Sequence, residues 1–211
     1  MKYDVPFISN PGDECVPATI GMIIKFFEPE SNVSSEELKN MCGYVKGMGS
    51  WQTKHILEMT RRGYQTKWTE DFAWHEFIDN PEAYLRKLIS DPEALEYQLS
   101  KTDLPLEASR MQQYLDSGYT FEQRRGSKDE IKQFLNGGWL VRLEVNACPL
   151  RPEEGYVGHS ILVIGYDKTG FILHNPDGPE HNMQNQHVSW DLLDQAWLEF
   201  GGSYSLYAFK K

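Results

Sequence analysis

The run Ser160-Ile161-Leu162-Val163-Ile164-Gly165-Tyr166 is nearly all apolar, which predicts a strand buried on both faces and therefore central in its sheet. Asp167-Lys168-Thr169-Gly170 has turn composition and leads into Phe171-Ile172-Leu173-His174, so the two runs form a hairpin. Trp139 to Val145 alternates enough to add a strand. Ser189 to Phe200 reads as a helix and Tyr204 to Phe209 as a closing strand.

The first half reads differently. From Val16 to Phe27 the residues Ile20, Ile23, Ile24 and Phe27 fall at helical spacing, and Pro17 fits the first turn, where its missing N–H is harmless. Ser34-Ser35-Glu36-Glu37 is a helix start with acidic residues at its positive end. Ser50 to Arg62 gives a further helix with Gly63 as its stop, and Phe72 to Gly118 gives two to four more, punctuated at Pro81, Pro92 and Pro105. A short helix opens at Gly126-Ser127, with Ser127 and Glu130 as a candidate capping box, and ends at Gly137-Gly138. Helices first and antiparallel sheet second is the α+β class with segregated elements. At 211 residues, about 40% of them apolar, the chain is expected to form a single domain over 1–211. Within it, the helical insert from about 70 to 122 exceeds what a compact core needs.

Thirty-one acidic against 21 basic side chains give a formal charge of -10, a surface that repels phosphate backbones and excludes nucleic acid as a partner. The chain holds neither a signal-peptide apolar core nor a stretch of about 20 apolar residues. No membrane span and a cytoplasmic location are therefore expected. Cys15, Cys42 and Cys148 are too few and too scattered for a disulfide framework, which leaves one to be reactive and the others buried.

The chemistry centres on Cys15. It follows the loop Asn10-Pro11-Gly12-Asp13-Glu14 and starts an apolar helix, where aligned peptide dipoles favour a thiolate. His159 stands at the mouth of the central strand after Gly155-Tyr156-Val157-Gly158. Asn175 lies 16 residues on, near the same open end of the hairpin, where its amide can fix the imidazole tautomer. An ion pair between Cys15 thiolate and His159 imidazolium is expected. The structural alternatives are a cysteine packed as a small hydrophobe and an Asn-Pro turn residue satisfying its own backbone. His174 should point to the face opposite Asn175 and be packed or solvated. His174, His181 and His187 cluster near Asp177 and Glu180, but their intervals match neither a His-Glu-x-x-His pair nor a closed Cys/His framework, so no metal is expected.

Two blocks of the chain resemble the bacteriocin-processing C39-like peptidases of the papain-like cysteine peptidase superfamily. One runs from Val5-Pro6-Phe7 to Cys15-Val16-Pro17-Ala18, and the other is His159-Ser160 through Gly165-Tyr166-Asp167 to Asn175-Pro176. The resemblance implies a papain-like fold, with an N-terminal helical lobe carrying the nucleophile helix and a C-terminal antiparallel sheet. It implies Cys15 as nucleophile, His159 as general base and then acid, and Asn175 as the orienter of the histidine. The family's glycine after the nucleophile is Val16 here. Its oxyanion glutamine, six residues before the cysteine, is Ser9, and Asn10 at five before is the nearest amide to take that role. The activity implied is hydrolysis of a peptide or other amide through a thioester acyl-enzyme, without a cofactor. Two other readings of the same residues stand beside it, namely acyl transfer to an amine and a catalytically degenerate binding protein. The 70–122 insert either extends the helical lobe or forms a lid, whose acidity would favour a basic or amine-bearing substrate.

Overall fold

A computed structural model describes residues 1–197 and 204–211. The chain opens with helices α1 (Cys15–Phe27), α2 (Ser35–Cys42) and α3 (Gln52–Arg61), followed by strand β1 (Gln65–Glu70). Four helices come next: α4 (Trp74–Asp79), α5 (Pro81–Leu88), α6 (Pro92–Lys101) and α7 (Leu104–Asp116). Then follow β2 (Thr120–Gln123), α8 (Lys128–Asn136), β3 (Leu140–Asn146), β4 (Gly158–Tyr166) and β5 (Gly170–Asn175). A single turn α9 (Gly178–His181), β6 (Met183–Ser189), α10 (Trp190–Ala196) and β7 (Leu206–Lys210) complete it.

The fold is α+β, with a helical N-terminal region and a C-terminal sheet. The strand order is β2-β1-β7-β3-β4-β5-β6, antiparallel apart from the β1–β2 pair. The apolar run is β4, enclosed by β3 and β5. Strand alternation sends Leu140, Leu162, Ile164, Tyr207 and Phe209 into the core shared with α1 to α7. Val141, Leu143, Ile161, Val163 and Leu206 enter a second core under α8 and α10. Gly165 is required where it stands, because a Cβ there would lie 2.5 Å from the Met1 carbonyl of the N-terminal segment bridged to β4.

The helical stretch joins the larger core instead of standing apart from it, with Phe77, Leu85, Met111 and Tyr114 all buried there. Its prolines begin helices: Pro81, Pro92 and Pro105 each occupy a first turn, behind caps Asn80, Asp91 and Asp103. Among the described residues no helix is long and apolar enough to cross a membrane.

Several elements depart from the expectations. Strand β1 is hidden in the sequence by its polar composition, Gln-Thr-Lys-Trp-Thr-Glu, although Thr66 and Trp68 alternate into the core. Strands β2 and β6 are likewise polar and lie at the two sheet edges. Ser189 closes β6 and caps α10 through Leu192 N, and the expected continuation of that helix over 198–200 lies outside the described residues. Ser34 and Glu37 form a full capping box. At α8, Ser127 caps Glu130 N, but the Glu130 carboxylate accepts from the Ser127 hydroxyl and from Arg124 and not from the Ser127 backbone N–H of a full box.

His55 on α3 is fully buried, and neither ring nitrogen has a partner among the described residues. Each unpaired polar group of this kind costs folding about 1–3 kcal/mol. His55→Leu is therefore expected to raise stability by about 1–3 kcal/mol at pH 7. Burial holds the folded imidazole well below its ordinary value, so at acidic pH the unfolded chain binds a proton that the folded one refuses. Native stability attributable to this group falls as pH drops through about 6.5, and the advantage of the leucine variant grows over the same interval. Urea unfolding of both proteins at pH 7 and pH 5.5 measures this, and an unstabilised variant refutes it.

Candidate active site

Helix α1 is apolar almost all round, with every residue from Val16 to Ile24 buried, as befits a helix sunk between a sheet and other helices. Its entry is shaped by Asn10, 2% exposed. The Oδ1 of Asn10 accepts from the backbone N–H of Gly12 and of Glu14, each at 2.9 Å, and its Nδ2 donates to the Pro176 carbonyl at 3.0 Å. Asn182 grips the Asn10 backbone on both sides: its Oδ1 accepts from Asn10 N and its Nδ2 donates to Asn10 O, both at 2.9 Å. The loop before Cys15 is thereby clasped to the end of β5. Cys15 is the first residue of the helix. One turn on, Thr19 Oγ1 donates back to the Val16 carbonyl and meets Ser160 Oγ of β4 at 3.2 Å.

His159 lies opposite Val145 near the start of β4. Its Nε2 is 2.7 Å from Asn175 Oδ1, and Asn175 Nδ2 donates to Gln186 Oε1 at 2.8 Å. Gln186 thus sets which end of the Asn175 amide faces the ring. An amide oxygen only accepts, so Nε2 carries the proton and Nδ1 keeps its lone pair. On that other side Asp177 Oδ1 lies 3.7 Å from Nδ1, and Asp177 is held by Arg151, whose Nε donates to Oδ2 at 2.6 Å.

Asn10, Cys15, Val16, His159, Arg151 and Asp177 line one cavity of about 340 Å³, closed on its far side by the Gly47–Ser50 loop. That loop is tied back to the segment before Cys15 by Asp13, which accepts from Gly47 N at 2.6 Å and from Tyr44 Oη.

Beneath Cys15 lies a buried charged group. Arg142, fully buried on β3, donates to Glu144, to Gln52 Oε1 and, at 3.0 Å, to Ser160 Oγ, with its guanidinium 4.3 Å from the centre of the Tyr207 ring. Burial raises the Glu144 carboxyl against the opposing pull of Arg142.

All four residues nominated from sequence meet at this place, with Asn10, Cys15 and His159 on the cavity wall and Asn175 behind the imidazole. The expected ion pair is not the resting state. Burial, reinforced by the Glu144 carboxylate, pushes the Cys15 thiol up to about 12, against the Ser160 backbone N–H and Arg142. Burial likewise lowers His159, outweighing Asp177 and Asn175, which raise it. Thiol and imidazole both rest neutral near pH 7. His174 is buried on the other side, its Nε2 donating to the Val5 carbonyl at 2.8 Å. No group of three or more His, Cys, Asp or Glu among the described residues is placed to hold a metal ion.

Sequence reasoning weighed Asp177 only as a possible metal ligand and passed over Arg151, which holds it beside the histidine, and Arg142, which is paired with Glu144 and Ser160. Asp177 carried a signal, an acid two residues beyond Asn175 in the same turn. Arg142 carried none, because arginine inside a strand reads as an outward-facing residue.

A protein-family model described as "Peptidase_C39 like family" matches residues 2–205. No curated protein matches the chain. Among solved structures, a crystal structure from Bacillus anthracis described as a "putative C39-like peptidase" is similar in fold, with a TM-score of 0.52 at 12% identity, covering 99% of this chain and 95% of that one.

Proposed function

This chain belongs to the Peptidase_C39 like family, and from that premise we propose that it is a cysteine hydrolase breaking a peptide or related amide bond through a thioester on Cys15. One observation carries the reading: Cys15 and His159 line one cavity, and the His159 ring is backed by Asn175, whose Oδ1 lies 2.7 Å from Nε2 and so favours a proton there.

Because both groups rest neutral, proton transfer accompanies attack and does not precede it. As Sγ bonds to the substrate carbonyl carbon, the thiol proton passes to His159 Nδ1 and the carbonyl π pair moves onto oxygen. The backbone N–H of Cys15 and the second Nδ2 hydrogen of Asn10 are the donors for that oxyanion, the first having gone to Pro176. The C–N bond then breaks, the amine leaves with the proton from Nδ1, and the acyl group stays on sulfur. Water, deprotonated by the same nitrogen, attacks the thioester and releases the acid while sulfur regains its proton. The Asp177 carboxylate, 3.7 Å from Nδ1, stabilises the transient imidazolium, and Arg151 keeps that carboxylate in place.

The second reading, a binding protein on the same scaffold, draws on the thiol pushed up to about 12 and on Val16 at the residue after the nucleophile. A peptidyl vinyl sulfone separates the two. Under the hydrolase reading, intact-mass and peptide mapping find one adduct, on Cys15, with Cys42 and Cys148, both buried, unlabelled, and His159→Gln suppresses it. Absence of an adduct, or labelling indifferent to His159, discards the hydrolase.

A further inference from the structure

Across the Gly49–Ser50 ridge from the Cys15 cavity lies a second one of about 230 Å³, to which both ridge residues also contribute. Trp51, Phe72 and Trp74 form its aromatic walls, Leu85 and Ile89 its aliphatic side, and Glu70 reaches into it. Glu70 is 7% exposed. Its Oε2 accepts the indole N–H of Trp68 at 2.8 Å and of Trp74 at 3.2 Å. Among the described residues nothing donates to its Oε1, and no lysine or arginine pairs with it. The nearby guanidinium of Arg142 is committed to Glu144, Gln52 and Ser160.

A carboxylate oxygen without a partner, inside an aromatic and aliphatic pocket, is the complement of a side chain with an apolar stem and a cationic tip. We propose that this pocket is a specificity site for a basic side chain, lysine-like in length, carried by a peptide whose backbone lies over Gly49–Ser50 beside Cys15. The proposal rests on the reading of the Cys15 cavity as the place where the amide is held. Burial raises the Glu70 carboxyl to about 7, so an arriving ammonium would draw out its proton and leave a desolvated ion pair. The net charge of -10 favours the approach of such a ligand from solution. The pocket walls come from the start of α3, from β1 and the turn after it, and from α4 to α6, so the helical stretch contributes recognition as well as core.

The test is calorimetric, on the Cys15→Ala protein, with two blocked peptides, acetyl-Gly-Lys-Gly-Gly-amide and its norleucine counterpart, which keeps the stem and lacks the ammonium. The lysine peptide is expected to bind about tenfold or more tightly than the norleucine peptide. Glu70→Gln, which still offers an amide oxygen to both indoles, brings the pair to within about twofold. Gln98→Lys, at the partly exposed rim on α6, places a competing ammonium at the pocket and erases the preference without touching Glu70. Equal affinity of the two peptides, or a lysine preference that survives both substitutions, overturns the pocket. These readouts need no turnover. A Glu70-dependent preference in a protein that the vinyl sulfone leaves unlabelled removes the hydrolase and keeps the pocket, whereas Cys15 labelling without the preference does the reverse.

Discussion

Under the proposed hydrolase reading, replacing Cys15 by Ala is expected to abolish amide turnover, by about 10⁴-fold or more, while the protein unfolds at nearly the same denaturant concentration. The two halves of this expectation have separate causes. Removal of a nucleophile that acts as one unit with its base deletes the covalent route, and the rest of the site cannot compensate. Stability is spared because Cys15 is the first residue of α1 and alanine keeps its backbone and Cβ there; part of the residue is exposed although its thiol is enclosed. The entry of that helix is organised by Asn10 and its docking by Thr19, not by the sulfur. Initial rates on a fluorogenic peptide amide and a urea titration are sufficient. A variant that loses several kcal/mol of stability would mark Cys15 as a packing residue, and one that keeps its turnover would move the chemistry elsewhere.

Arg142→Met is expected to destabilise the fold by about 3–5 kcal/mol, the penalty for stranding a buried charge whose partner has gone. The guanidinium answers Glu144, Gln52 and Ser160 at once and lies over the Tyr207 ring, and methionine can keep only the packing. Burial already raises Glu144 while Arg142 opposes the rise. Without Arg142 the folded carboxyl moves further above its unfolded value. A carboxyl raised on folding binds its proton more tightly in the native state, so the deficit of the variant shrinks as pH falls from 7 towards the ordinary glutamate range. Adding Glu144→Gln should recover much of the loss at pH 7. Urea midpoints at unchanged slope provide the measure, and a loss below about 1 kcal/mol means that the charged group does not hold β3 to α3.

The sheet's centre and the first helix were legible because each is written in apolar periodicity, which burial enforces directly. Ile161 to Ile164 are all fully buried, and Ile20, Ile23 and Ile24 fix one face of α1. Strand β1 escaped because its inward residues are Thr66 and Trp68 among polar neighbours, and its pairing with β7 is a contact across about two thirds of the chain. At the site, His159 and Asn175 were readable because a hairpin converts their separation into adjacency. Asn10 was found for its amide, but its three side-chain hydrogen bonds to the loop and to Pro176 depend on tertiary placement. The neutral resting state of Cys15 and His159 was hidden for the same reason. The dipole at a helix start is visible in sequence, whereas the depth of burial that outweighs it is not.

The clasp between Asn10 and Pro176 frees the middle of this molecule. Because hydrogen bonds from Asn10 to Pro176 and Asn182 fasten the loop before Cys15 to the end of β5, whatever is threaded between those two segments can lengthen or shorten without parting them. The four helices from Trp74 to Asp116 are one use of that licence.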